Sequence, residues 1–89
     1  MKRTIIRVSG KVQGVYFRAS AKEEANRLGI SGIVKNEVDG SVYIEAEGPD
    51  PALERFIQWC KVGPRNAQVS SCIVESVELL GYGDFQIVR

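Results

Sequence analysis

The stretch Ile33-Val34-Lys35-Asn36-Glu37-Val38-Asp39-Gly40-Ser41-Val42-Tyr43-Ile44-Glu45-Ala46-Glu47 decides the fold of this chain. Ile33–Val38 and Val42–Glu47 read as β-strands, and Asp39-Gly40 between them is the dipeptide favoured where a tight turn needs positive φ. Strands joined this closely pair antiparallel. Towards the N-terminus, Ala21, Ala25 and Leu28 recur at helical spacing from about Ala19, with Lys22, Glu23, Glu24, Asn26 and Arg27 on the outer face and Gly29 as the stop. Before that helix, Thr4, Ile6 and Val8 alternate with Ile5, Arg7 and Ser9, the pattern of a strand with one buried face, which Gly10 is expected to end.

Towards the C-terminus, Asp50 reads as an N-cap and Pro51 as the first residue of a second helix. Its stripe is Leu53, Phe56, Ile57 and Cys60, and Gly63-Pro64 terminates it. From Gln68 to Leu80 the chain is rich in β-formers, including Val69, Ile73, Val74 and Val77, but lacks clean alternation, so a bulged strand is expected. Phe85, Ile87 and Val88 suggest a short last strand. The order β-α-β-β-α-β plus a terminal strand is the ferredoxin-like split β-α-β plan of the α+β class, with one antiparallel sheet and two helices packed on one face.

A chain of 89 residues with 44% hydrophobic and 26% charged residues suits one domain over 1–89 and argues against disorder. Its formal charge of +1 supplies no bulk field for a polyanion. Histidine is absent, which removes every imidazole base, catalytic triad and His-ligated metal centre. Cys60 and Cys72 are too few for a disulfide scaffold or a zinc site, and free thiols in a reducing cytoplasm are expected. Arg7 interrupts the N-terminal apolar run before it reaches signal-peptide length, and no stretch is long enough to span a membrane.

Chemistry has one natural place to sit. Gly10-Lys11-Val12-Gln13-Gly14-Val15-Tyr16-Phe17-Arg18 joins the first strand to the first helix, where backbone N–H groups and a helix N-terminus converge on an anion. Arg18 offers a planar fork of donors, and a cation at a helix start opposes the macrodipole unless an anion accompanies it. On spacing alone the segment fits an ordinary tight connection better than a phosphate site, and it is not a Walker A loop, since no Gly-Lys-Ser/Thr follows. Asn36, near a turn, reads on its own as a turn residue.

The stretch from Val8 to Arg18 closely resembles the acylphosphatase signature, and Gly32-Ile33-Val34-Lys35-Asn36 continuing through Gly40, Val42 and Gly48 is similar to the family's second signature. The resemblance covers nearly the whole chain. It implies hydrolysis of acyl phosphates, mixed anhydrides of carboxylic and phosphoric acids, by an enzyme without metal or cofactor. Arg18 would grip the phosphoryl group and Asn36 would orient the attacking water. Val12, Gln13, Gly14, Val15, Tyr16 and Phe17 would form the phosphate-binding loop, mainly through backbone N–H groups, with Gln13 bracing it. Tyr16 and Phe17 are expected to pack rather than touch substrate. Ile33 stands where the family usually has an aromatic residue, so core packing or the edge of the acyl pocket is expected to differ. The family's frequent arginine after Phe85-Gln86-Ile87 is displaced to Arg89 by Val88.

Rival readings are weaker. Cys60-Lys61-Val62-Gly63-Pro64-Arg65 resembles a cysteine phosphatase loop, but it is one residue short and Cys60 lies in an apolar stripe. RNA-recognition domains share the fold plan, but Tyr43, Glu45 and Glu47 place paired carboxylates on one sheet face, so no nucleic acid partner is expected. A non-catalytic anion-binding or regulatory module is the remaining alternative. The expected partners are a small acyl phosphate and inorganic phosphate, bound by a monomer that does not engage a membrane.

Overall fold

Asp39 closes the hairpin in the computed structural model, which describes residues 1–89. Its Oδ1 accepts a 2.9 Å bond from the Ser41 N–H and a 2.6 Å bond from the Ser41 hydroxyl, while Gly40 adopts φ 95°. The Glu37 N–H donates to the Ser41 carbonyl at 2.8 Å, so the turn occupies Val38 to Gly40. The strands it joins are β2, Ser31–Asn36, and β3, Val42–Gly48; β2 thus ends at Asn36 rather than at Val38.

The remaining elements are β1 (Lys2–Lys11), α1 (Phe17–Leu28), α2 (Asp50–Val62), β4 (Gln68–Val77) and β5 (Phe85–Ile87). The strand order is β4-β1-β3-β2-β5, and both helices cover the face formed by Ile6, Val8, Val34, Val42, Ile44 and Ala46. This is the ferredoxin-like α+β plan, with one correction: the sheet is mixed. Four strands pair antiparallel, but β5 pairs parallel to β2, matching Gly32 with Phe85 and Val34 with Ile87. The chain leaves β4 at one sheet edge, crosses below β1, β3 and β2, and returns in the direction of β2. No sequence periodicity reports that return.

Two boundaries also move. β1 runs through Gly10 to Lys11, because the expected bulge falls opposite it: Ser9 pairs with Ser71 and Gly10 with Val69, leaving Ser70 as the extra residue. A Cβ at Gly10 would lie 2.2 Å from the Gln68 carbonyl oxygen, so glycine permits the close approach. In α2, Pro49 rather than Asp50 is the N-cap, and no side-chain cap bond forms. Asp50 instead supplies a negative charge to the first turn, where the macrodipole favours it.

The core is one cluster in which aromatic rings carry the contacts between layers. Phe17, the first residue of α1, meets Trp59 of α2 edge-on at 5.3 Å; Trp59 stacks on Phe56 at 6.2 Å, and Phe56 meets Phe85 of β5 at 5.8 Å. This chain of rings fixes the start of α1 and the edge strand β5 to the same helix. Cys60 is fully buried in the stripe, and burial first, then Cys72 and Glu24, hold its thiol well above the ordinary value.

Candidate active site

The connection from β1 to α1 turns sharply at two left-handed positions. Gly14 has φ 74°, and Tyr16 has φ 63° and ψ 26°, the one non-glycine residue with positive φ. An L-residue there costs about 1–2 kcal/mol, which surrounding structure must offset. Val12, Val15 and Phe17 do so by being buried, alternating with exposed Gly14 and Tyr16. The loop is therefore pinned to the core through every second or third residue.

That pinning leaves the loop's backbone donors free. From Val12 through Ala19, no N–H group donates a hydrogen bond within the chain; the first intrahelical bond of α1 runs from Ser20 N–H to the Tyr16 carbonyl at 3.0 Å. The first turn of α1 contains no acidic side chain and has no side-chain cap. Unpaired amides at a helix N-terminus attract an anion through their aligned dipoles.

A cleft of about 660 Å³ opens at this place, lined by Val12, Gly14, Tyr16, Phe17, Arg18, Ala19, Asn36, Ile87 and Arg89. Its lining contains two guanidinium-bearing residues and no acidic side chain. Asn36 reaches it from the end of β2, and the Asn36 Oδ1 is the one buried side-chain polar atom without a hydrogen-bond partner. A buried acceptor left unpaired costs roughly 1–3 kcal/mol.

Gln13 holds the two halves together. Its Nε2 donates to the Glu37 carbonyl at 2.8 Å and to the Ser41 carbonyl at 2.9 Å, tying the loop to the hairpin that follows Asn36.

The structure thus brings Arg18, Asn36, Val12, Gly14, Tyr16 and Phe17 to one cleft, whereas Gln13 and Val15 support it from outside the lining. Tyr16 is 81% exposed, which corrects the expectation that it packs; its left-handed backbone turns the ring out of the core. Ile33 is corrected as well. It alternates with buried Gly32 and Val34 and pairs with Glu45, so it lies on the face opposite the helices and touches neither core nor cleft.

Ile87, Arg89 and Ala19 belong to the lining without having been singled out as site residues. For Ile87 the missing signal was topological: only the parallel pairing of Val34 with Ile87 carries that strand's end beside Asn36.

Fold and site together define a ferredoxin-like α+β protein whose strand-loop-helix leaves backbone amides without acceptors beside an amide side chain. The family model described as Acylphosphatase matches residues 4–87. The chain is 47% identical over 92 residues to an acylphosphatase of Shewanella amazonensis, covering all of this chain and 99% of that one. It is 51% identical over 70 residues to an acylphosphatase of Alkalilimnicola ehrlichii, covering 79% of each. The crystal structure of acylphosphatase from Bacillus subtilis superposes with a TM-score of 0.97 at 40% identity, covering the whole of both chains. This chain belongs to the acylphosphatase family, and its activity class is hydrolase.

Proposed function

We propose that this protein hydrolyses acyl phosphates in the cleft between the β1–α1 loop and the end of β2, with Arg18 and Asn36 as the catalytic residues. The observation that carries this reading is the run of backbone N–H groups from Val12 to Ala19 without acceptors, beside a cleft that holds Arg18 and no acidic side chain. The loop amides and the Arg18 guanidinium bind the phosphoryl oxygens, where charge is spread in the transition state. The Asn36 carbonyl accepts a hydrogen bond from water and directs its lone pair at phosphorus.

As the new P–O bond forms, the bond from phosphorus to the acyl oxygen breaks and the electron pair leaves with the carboxylate. The proton of the attacking water passes to a phosphate oxygen. A carboxylate is a good leaving group, so the reaction requires neither a strong general acid nor a metal.

The remaining features follow the same reading. Two free cysteines and the absence of a helix long and apolar enough to cross a membrane support action in the cytoplasm. The Glu45 and Glu47 carboxylates on the sheet face of Tyr43 oppose a phosphate backbone there. We assign small-molecule partners to a monomer of one domain.

The test is hydrolysis of benzoyl phosphate in chelator, beside an unactivated phosphate monoester. Only the acyl phosphate turns over, and Arg18→Ala and Asn36→Ala, both folded, each lower kcat/KM by about 10²- to 10³-fold. A folded wild type that binds phosphate without turnover sinks the catalytic reading in favour of an anion-binding module.

A further inference from the structure

Glu47 is 2% exposed, yet it carries a carboxylate on the sheet face that the helices leave open. Its Oε2 accepts the Leu80 N–H at 2.6 Å and the Gly81 N–H at 3.0 Å, and its Oε1 accepts the Tyr82 N–H at 2.7 Å. Next to it, Glu45 accepts the Tyr82 hydroxyl at 2.7 Å, the Tyr43 hydroxyl at 2.8 Å and Arg3 Nη1 at 2.5 Å, while Arg3 Nε donates to the Glu78 carbonyl at 2.6 Å.

These bonds fasten the strap of residues 78–84, which has no helix or strand of its own. The strap ends at Asp84, whose carbonyl accepts the Gly32 N–H at 2.8 Å and so begins the parallel pairing of β5 with β2. Three residues later Ile87 lines the cleft. β5 is only three residues long; buried Phe85 anchors it against Phe56 on the helix side, and the strap is its tie on the open face of the sheet.

We propose that Glu47 is a positioning residue for the cleft: by gripping three successive amides of the strap, it sets where β5 begins and hence where Ile87 stands against the acyl half of the substrate. This rests on the cleft being the acyl phosphate site. Glu47 touches no reacting atom and acts through the strap. Its loss therefore weakens acyl-group binding more than it weakens the phosphoryl half, which the β1–α1 loop holds.

The experiment compares wild type with Glu47→Gln, Glu47→Ala, Ile87→Ala and the double variant Glu47→Gln/Ile87→Ala. KM and kcat are measured for benzoyl phosphate, the inhibition constant is measured for inorganic phosphate, and amide exchange is followed over residues 78–88. In the Glu47 variants the strap amides exchange faster and KM rises about three- to tenfold, with kcat and the phosphate constant within about twofold. Ile87→Ala raises KM similarly, and the double variant is no worse than the more impaired single variant, because both remove the same contact.

Loosened strap amides with unchanged KM overturn the proposal, as do effects that multiply in the double variant or amides that neither Glu47 variant loosens. Should Glu47→Ala fail to fold, Glu47→Gln and Tyr82→Phe, which removes the bond to Glu45, carry the same comparison. Arg18→Ala retaining full turnover defeats the underlying site reading separately, whatever Glu47 does.

Discussion

Gln13 Nε2 lies 2.8 Å from the Glu37 carbonyl oxygen, and through that bond the loop leading into Arg18 is tied to the residue following Asn36. Gln13→Ala removes this bond and the one to Ser41, leaving two part-buried carbonyls without that donor. A neutral hydrogen bond contributes about 1 kcal/mol net, so a loss of roughly 1–2 kcal/mol in stability is expected. Catalysis should suffer more: misplacing a positioned group by an ångström costs up to about 10²-fold. Steady-state kinetics and denaturant melts of the same variant check both effects, and activity retained at the wild-type level contradicts the bracing role.

Arg18→Lys separates charge from geometry. Lysine keeps the positive charge but has no planar fork to span two phosphoryl oxygens, so the variant should recover little of what Arg18→Ala loses. The expected kcat/KM remains at least about tenfold below wild type. Equal activity in Arg18→Lys and wild type means that only charge matters at this position.

Acid should unfasten the strap. Burial raises the Glu47 carboxyl, but the N–H groups of Leu80, Tyr82 and Gly81 outweigh it, so the group lies below its ordinary value of 4.5. Glu45 is likewise lowered: burial acts upward, and bonds from Tyr82, Arg3 and Tyr43 prevail. Folded values below unfolded ones mean stabilisation present above about pH 4.5 and lost as pH falls through the folded value. Glu47→Gln should therefore show a shallower loss of stability between neutral pH and about pH 3 than wild type. Thermal melts across that range provide the measurement; parallel curves for the two proteins are incompatible with the linkage.

The thiols should prove inert in catalysis. Burial raises both Cys60 and Cys72, most for Cys60, and thiolate is the reactive form. Iodoacetamide at neutral pH should label half-buried Cys72 slowly and Cys60 only in denaturant, with turnover unchanged by the Cys72 label. Mass spectrometry of the labelled, still active protein checks this, and inactivation in step with labelling is the opposing result.

Much of the fold was legible because it is local. Asp39-Gly40 specifies its own turn, the alternation of Thr4, Ile6 and Val8 marks a one-sided strand, and Leu53, Phe56 and Cys60 trace a helix stripe. The glycine-bearing loop and Asn36 stood out through their resemblance to a family, since neither carries a periodic signal. Glu47 illustrates the limit. Within its strand it reads as a surface carboxylate beside Glu45, and only amides more than thirty residues away turn it into a buried anchor.

What the sequence determined by itself was therefore the set of elements, because propensity, turn chemistry and side-chain period act over a few neighbouring positions, and, through the family resemblance, the residues of the β1–α1 loop. The tertiary structure decided the direction of β5, the place of Ile87 and Arg89 in the cleft, and the outward turn of Tyr16. Those depend on where the chain returns after crossing the sheet and on which backbone groups lack partners there, relations between distant segments that no local pattern encodes.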